Sequence, residues 1–132
     1  DPDEVDKLVR YHLKIGADYS FNNEPHPRGL PDGAGAEALS METLNRVNQL
    51  ATSASHREHV TLFSLENPRL FHIERLDADP QLRRPDIKLD VDYAKDLEFI
   101  RGIFQRLYKP GEIIKLSEVI DLFKEHSNAQ IG

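Results

Sequence analysis

Apolar positions recur at helical spacing at the front of the chain, where Val5, Leu8, Val9 and Leu13 share a face. Ahead of them Asp1-Pro2-Asp3-Glu4 has the makeup of a helix start, with a capping acid, proline in the first turn and acids at the positive end of the dipole. Gly16 stands where such a helix stops. The pattern then changes period. Tyr19 and Phe21 alternate with Asp18 and Ser20, which predicts a short strand within Ala17 to Asn23. Prolines and glycines dominate from Asn22 to Gly35, a loop by composition and a long one for a compact domain.

Helical spacing returns after a short edge strand expected at Ala36 to Leu39. Ser40 is placed to cap a helix carrying Leu44, Val47 and Leu50. Ser55 and Glu58 have capping-box spacing and predict a helix bearing Val60 and Phe63, stopped at Asn67-Pro68. Phe71 to Leu76 and Ile87 to Val91 alternate as strands. Asp92 then stands where it would cap the most regular helix, with Leu97, Ile100, Phe104 and Leu107 in phase and Pro110-Gly111 at its end. A last helix is expected from about Ser117 to His126, with a frayed tail over 127–132. Strands interleaved with helices predict an α/β fold, read as one domain over 1–132.

Composition narrows the classes. The chain has 132 residues, 17 Lys+Arg against 23 Asp+Glu, and no cysteine. A disulfide scaffold and a thiolate zinc site are therefore excluded. The acidic balance argues against nucleic acid as the main partner, because phosphate backbones demand clustered Lys and Arg. No apolar run approaches the roughly 18 residues of a membrane helix, so no membrane partner is expected. A cytoplasmic location is the default expectation. The chain starts at Asp1 without a methionine, which suggests a piece of a longer protein.

Three clusters carry candidate chemistry. In Lys88-Leu89-Asp90-Val91-Asp92, alternation sets Lys88, Asp90 and Asp92 opposite Ile87, Leu89 and Val91. Two carboxylates at the end of a strand suit Mg²⁺ shared with phosphates. The competing reading makes Asp92 a helix cap and Asp90 a solvated strand residue, and spacing by itself favours it. In Ser55-His56-Arg57-Glu58-His59, Arg57 could clamp a carboxylate or phosphate and His59 could bond a sugar. The plain alternative is a capping box with exposed histidines, and His56 with His59 lacks a third ligand for zinc. Pro25 to Gly33 carries Arg28 and Asp32 and reads equally as a pocket wall or a linker.

Taken together, these stretches resemble the C-terminal half of the SpsF-like cytidylyltransferases (typified by spore coat polysaccharide biosynthesis protein F), relatives of the sialate and KDO cytidylyltransferases. The family's Asp-Tyr-Val-Ser-Asn before a Pro-Asp-Gly loop is matched by Asp18-Tyr19-Ser20-Phe21-Asn22 before Pro31-Asp32-Gly33. Its Val-Glu-Val-Phe-Ser is matched by Ala36-Glu37-Ala38-Leu39-Ser40. Its Arg-Glu-His-Val-Thr is intact at Arg57-Glu58-His59-Val60-Thr61. Its Val-Asp-Thr-Pro-Glu-Asp-Leu is echoed by Val91-Asp92-Tyr93-Ala94-Lys95-Asp96-Leu97.

The resemblance implies a partial Rossmann-like nucleotide-diphospho-sugar transferase sandwich that lacks its nucleotide-binding half. It implies Mg²⁺-dependent conversion of CTP and a sugar to a CMP-sugar and pyrophosphate, in polysaccharide or glycan biosynthesis. Asp92, with Asp90 beside it, matches the metal-binding acids of such enzymes. Arg57, Glu58, His59, Asp32, Glu37 and Arg28 would serve the sugar side, with no catalytic residue in the chain itself. A homodimer and weak Mg²⁺ binding are expected, and no turnover by the chain by itself. The family's Gly-rich phosphate loop and its Gly-Asp-Cys-Pro-Leu strand have no counterpart here. Gly35 replaces an Asp of many members, and Tyr93-Ala94 replaces Thr-Pro. The alternative is a non-catalytic α/β interaction or assembly module.

Overall fold

The computed structural model describes residues 1–23 and 26–129. Its elements run α1 (Pro2–Ile15), β1 (Tyr19–Phe21), β2 (Glu37–Leu39), α2 (Met41–Leu50), α3 (Ala54–Glu58), α4 (Leu62–Glu66), β3 (Ile73–Arg75), a 3-10 turn (Pro80–Leu82), α5 (Ala94–Leu107) and α6 (Leu116–Ala129). The mixed α/β class expected from the pattern is what forms. Helix α6 continues past His126 to Ala129, and residues 130–132 of the expected tail lie outside the described residues, as does Pro25 of the loop. The chain divides into two compact units, one of residues 4–22 and 36–76, the other of residues 1–3, 23–35 and 77–132.

The first unit holds a three-stranded sheet in the order β2-β1-β3. Strand β1 pairs antiparallel with β2 (Phe21 opposite Glu37) and parallel with β3 (Phe21 opposite Arg75), so β2 is the edge strand expected from the sequence. Asp18 ties the sheet entrance together. Its Oδ2 accepts the His72 N–H at 2.8 Å, and its Oδ1 lies 3.4 Å from both Thr43 Oγ1 and the Arg46 guanidinium. Val47, Ala51 and Phe71 form the core, with Phe63 and Ile73 packed on it. Ser40 caps α2 as expected, accepting the Thr43 N–H at 3.0 Å.

Two expectations here are corrected. The buried face of α1 is Glu4, Leu8 and His12, whereas Val5, Val9 and Leu13 are exposed. The His12 Nδ1 stands 3.0 Å from the buried Ser20 Oγ, a polar contact that fixes the helix one face away from its apolar stripe. The Ser55/Glu58 capping box does not form either. Ser53 is the cap, accepting the His56 N–H at 3.2 Å, and a turn at His59–Thr61 separates two short helices where one was expected.

The second unit is built on the loop at Pro31-Asp32-Gly33. Asp32 makes a parallel bridge with Lys88, donating its N–H to the Ile87 carbonyl (2.9 Å) and accepting the Leu89 N–H (2.8 Å). This single bridge is all that forms of the strand expected at Ile87 to Val91. Gly33 has φ +81°, and a Cβ there would lie 2.6 Å from the Asp90 backbone nitrogen, so the close approach needs glycine twice over. Leu30, Ala78, Leu82, Ile87, Leu116 and Ile120 form the core. Ile87 is thus buried in its own cluster, and of the apolar trio only Val91 is exposed, at 50%. On α5 it is Ile103 that is buried, while Leu97 and Phe104 are exposed. The Asp1 carboxylate accepts the Leu116 N–H at the start of α6 (2.9 Å), which gives that helix its N-terminal partner.

Candidate functional site

The segment between the Asp32 bridge and α5 presents Lys88, Asp90 and Asp92 on one side, as strand-like alternation requires. The Lys88 Nζ stands 2.9 Å from Asp92 Oδ2 and 3.4 Å from Asp90 Oδ2. Hydrogen bonding to Asp92, then to Asp90, raises the Lys88 pKa above its ordinary value. In return the Lys88 hydrogen bond, the neighbouring Asp90 carboxyl and the Lys88 charge lower that of Asp92. Asp90 is anchored from below by the Gly33 approach, and its Oδ1 is buried with no hydrogen-bond partner. Buried carboxylate oxygens are seldom left so.

Asp92 is not the cap of α5. Tyr93 stands at the N-cap position, and Asp96 three residues on bonds back to it, its Oδ2 accepting the N–H groups of Tyr93 (2.9 Å) and Asp92 (3.1 Å). Those backbone hydrogen bonds, that from Tyr93 foremost, lower the Asp96 pKa. The reading of Asp92 as a structural cap is therefore removed, and its exposed carboxylate bonds the Lys88 ammonium. Asp32 is brought to this segment by its backbone. Arg28 instead forms an ion pair with Asp77 at 3.0 Å.

Among the described residues no group of three His, Asp or Glu side chains converges as a metal site. Asp90 and Asp92 nonetheless fit what Mg²⁺ asks of a protein when phosphates complete its shell, namely one or two carboxylates with room for water. The unsatisfied Asp90 oxygen is the structural sign of that fit. Beneath the same segment, Leu89, Ile100, Ile103 and Phe104 help to line an apolar groove of about 350 Å³ that offers little polar chemistry.

The other unit holds the remaining candidates. Glu37 projects from β2, and its Oε1 accepts from the buried Tyr19 hydroxyl (2.7 Å) and from Thr61 (3.2 Å). It thereby fixes the end of the Arg57–Thr61 stretch. Arg57 donates to the Asn48 side chain and, at 3.2 Å, to its backbone carbonyl. His56, bonded to Glu66 at 2.7 Å, joins Arg57, Asn48, Leu44, Val47 and Val60 around a cavity of about 180 Å³. Arg57 and His56 are thus brought together, while Glu58, the last residue of α3, and His59, on the turn that follows, lie exposed. The sequence reading missed Asn48, Tyr19 and Asp18 as supports. Only Asp18, a lone acid entering a strand, left a signal that could have been followed.

No family model matches the chain. It is 26% identical over 98% of its length to the spore coat polysaccharide biosynthesis protein SpsF of Bacillus subtilis, covering 52% of that protein. It is 28% identical over 92% of its length to an uncharacterised protein of Methanocaldococcus jannaschii, covering 47% of it. The chain thus spans about half the length of the curated relatives it matches. Its fold matches a solved cytidylyltransferase from Leptospira borgpetersenii with a TM-score of 0.83 at 15% identity, over 97% of this chain and 52% of that one. The resemblance to SpsF-like cytidylyltransferases holds in sequence, and the fold is that of about half of such an enzyme.

Proposed function

We propose that this chain is the sugar-side part of a sugar nucleotidyltransferase acting in polysaccharide or glycan biosynthesis. In the reaction a sugar hydroxyl oxygen forms a bond to the α-phosphorus of CTP. The bond from that phosphorus to the bridging oxygen breaks, pyrophosphate leaves, and the hydroxyl proton passes to a base. Such transfers depend on positioning and on neutralising phosphate charge more than on covalent help from the protein.

Asp90 and Asp92 would hold the Mg²⁺ that supplies this neutralisation. Arg57, oriented by Asn48, offers a planar cation for a sugar carboxylate. In the same unit as Arg57, His59 and Glu58 offer hydrogen bonds to sugar hydroxyls and Glu37 sets the position of Thr61; Asp32 and Arg28 belong to the other unit and carry groups that bond hydroxyls in the same way. The observation that carries the reading is the fold match over 97% of the chain to half of a cytidylyltransferase. The nucleotide half having no counterpart here, the chain by itself should not turn over CTP.

The test is pyrophosphate release by the natural protein that carries this chain, with CTP and a panel of acidic and neutral sugars. Release that requires both CTP and one sugar class is expected. Absence of release with every nucleotide and sugar would overturn the reading in favour of an assembly module, and release by the isolated chain would overturn the expectation that it cannot turn over CTP by itself.

A further inference from the structure

Lys88 has no part in the proposed reaction, yet its ammonium lies at both candidate carboxylates, 2.9 Å from Asp92 and 3.4 Å from Asp90. We propose that Lys88 is an internal counter-cation: it occupies the Asp90/Asp92 pair, and a divalent cation enters that pair by displacing it. The inference rests on the reading of Asp90 and Asp92 as the metal-facing carboxylates.

Three observations carry it. The placement is built in, because alternation along residues 88–92 sets the three side chains on one side and the Gly33 approach fixes the backbone under Asp90. The occupant is replaceable, because the Lys88 side chain is 47% exposed and that of Asp92 58%. Exposed ion pairs of this kind hold only weakly, and a four-carbon stem lets the ammonium swing into water. The lysine also leaves the pair incompletely served, since the buried Asp90 Oδ1 has no partner. A hard divalent ion reaches carboxylate oxygens at about 2.1 Å. An ammonium cannot remain beside such an ion, because the two cations repel.

The consequence is a site guarded by its own lysine. Adventitious cations are kept out until a cation arrives with enough charge, or with enough bound phosphate, to displace the ammonium. It also explains chemically why a lysine sits between two acids whose reading as ligands would otherwise oppose it.

The test uses Mn²⁺ alone as the probe, with bound metal read by electron paramagnetic resonance on the full chain. Lys88→Met should bind Mn²⁺ about fivefold more tightly than the unaltered chain, the gain expected from removing two weak ion pairs and one like charge. Lys88→Arg, which keeps the occupant, should bind as the unaltered chain does. Adding Asp92→Asn to Lys88→Met should abolish the gain. In the unaltered chain, Mg²⁺ should speed acetylation of Lys88 as the ammonium is released. Equal Mn²⁺ affinity in the unaltered chain and Lys88→Met, with a loss in Asp92→Asn, would overturn the counter-cation and leave the metal reading standing. Mn²⁺ binding absent, or indifferent to Asp90 and Asp92 in every variant, would overturn both.

Discussion

Replacing Gly33 with alanine should do more damage than the same change at Gly16, Gly102 or Gly111. Alanine in a left-handed backbone conformation costs about 1–2 kcal/mol, and Gly33 has φ +81°. The new Cβ would also lie 2.6 Å from the Asp90 backbone nitrogen, a distance that neither backbone can accept without moving. Separation would loosen the two hydrogen bonds of the Asp32 bridge, each contributing about 1 kcal/mol. The sum is about 3–4 kcal/mol. Gly111 supplies the control: its φ is also +81°, but nothing lies within 4 Å of its Cβ position. Gly111→Ala should therefore cost only the backbone part, about 1–2 kcal/mol. Urea unfolding of the two variants, at constant slope, reads the difference, and amide exchange at Leu89 should accelerate in Gly33→Ala alone. Equal midpoints would refute the close approach and the anchoring of Asp90 with it.

The corrected face of α1 predicts that Leu8→Ala costs about 2–5 kcal/mol, whereas Leu13→Ala, at 73% exposure, leaves the unfolding midpoint where it was. Asp96→Ala should lower the urea midpoint and Asp92→Ala far less, because only the Asp96 carboxylate bonds the backbone N–H groups at the start of α5. Asp86, Asp92 and Asp96 all have carboxyls held below the ordinary aspartate value, Asp86 by the Arg84 hydrogen bond. Their contribution to stability is complete above the unfolded aspartate pKa near 4 and is lost as pH falls through their lower folded values, an effect that added salt should shrink in acid titrations. Self-association is expected from the exposed stripe Val5, Val9 and Leu13; light scattering giving the 15.1 kDa of one chain at high concentration would count against it.

How much of this was legible in the sequence differs between elements. The α/β alternation, the Ser40 cap and the edge strand at Glu37–Leu39 were readable because each depends on residues adjacent in the chain. The facing of α1 was not, because Leu8 lies on the boundary of two candidate stripes and a partner from β1, Ser20, decides between them. Asp92 looked like a cap because it precedes the helix, but the helix starts one residue later, with Tyr93 at the N-cap position and Asp96 accepting the Tyr93 and Asp92 N–H groups. At the candidate site, the grouping of Lys88, Asp90 and Asp92 follows from a period of two. The approach of Asp32 to Lys88 does not, since it joins residues far apart in sequence.

The most direct test of the account is where a paramagnetic divalent cation goes. Mn²⁺ added to the isotope-labelled chain should broaden the amide signals of Asp90 and Asp92 before any others, with Asp32 next through its bridge to Lys88. Broadening confined to Asp77 and Asp79 would contradict the assignment of the metal-facing side.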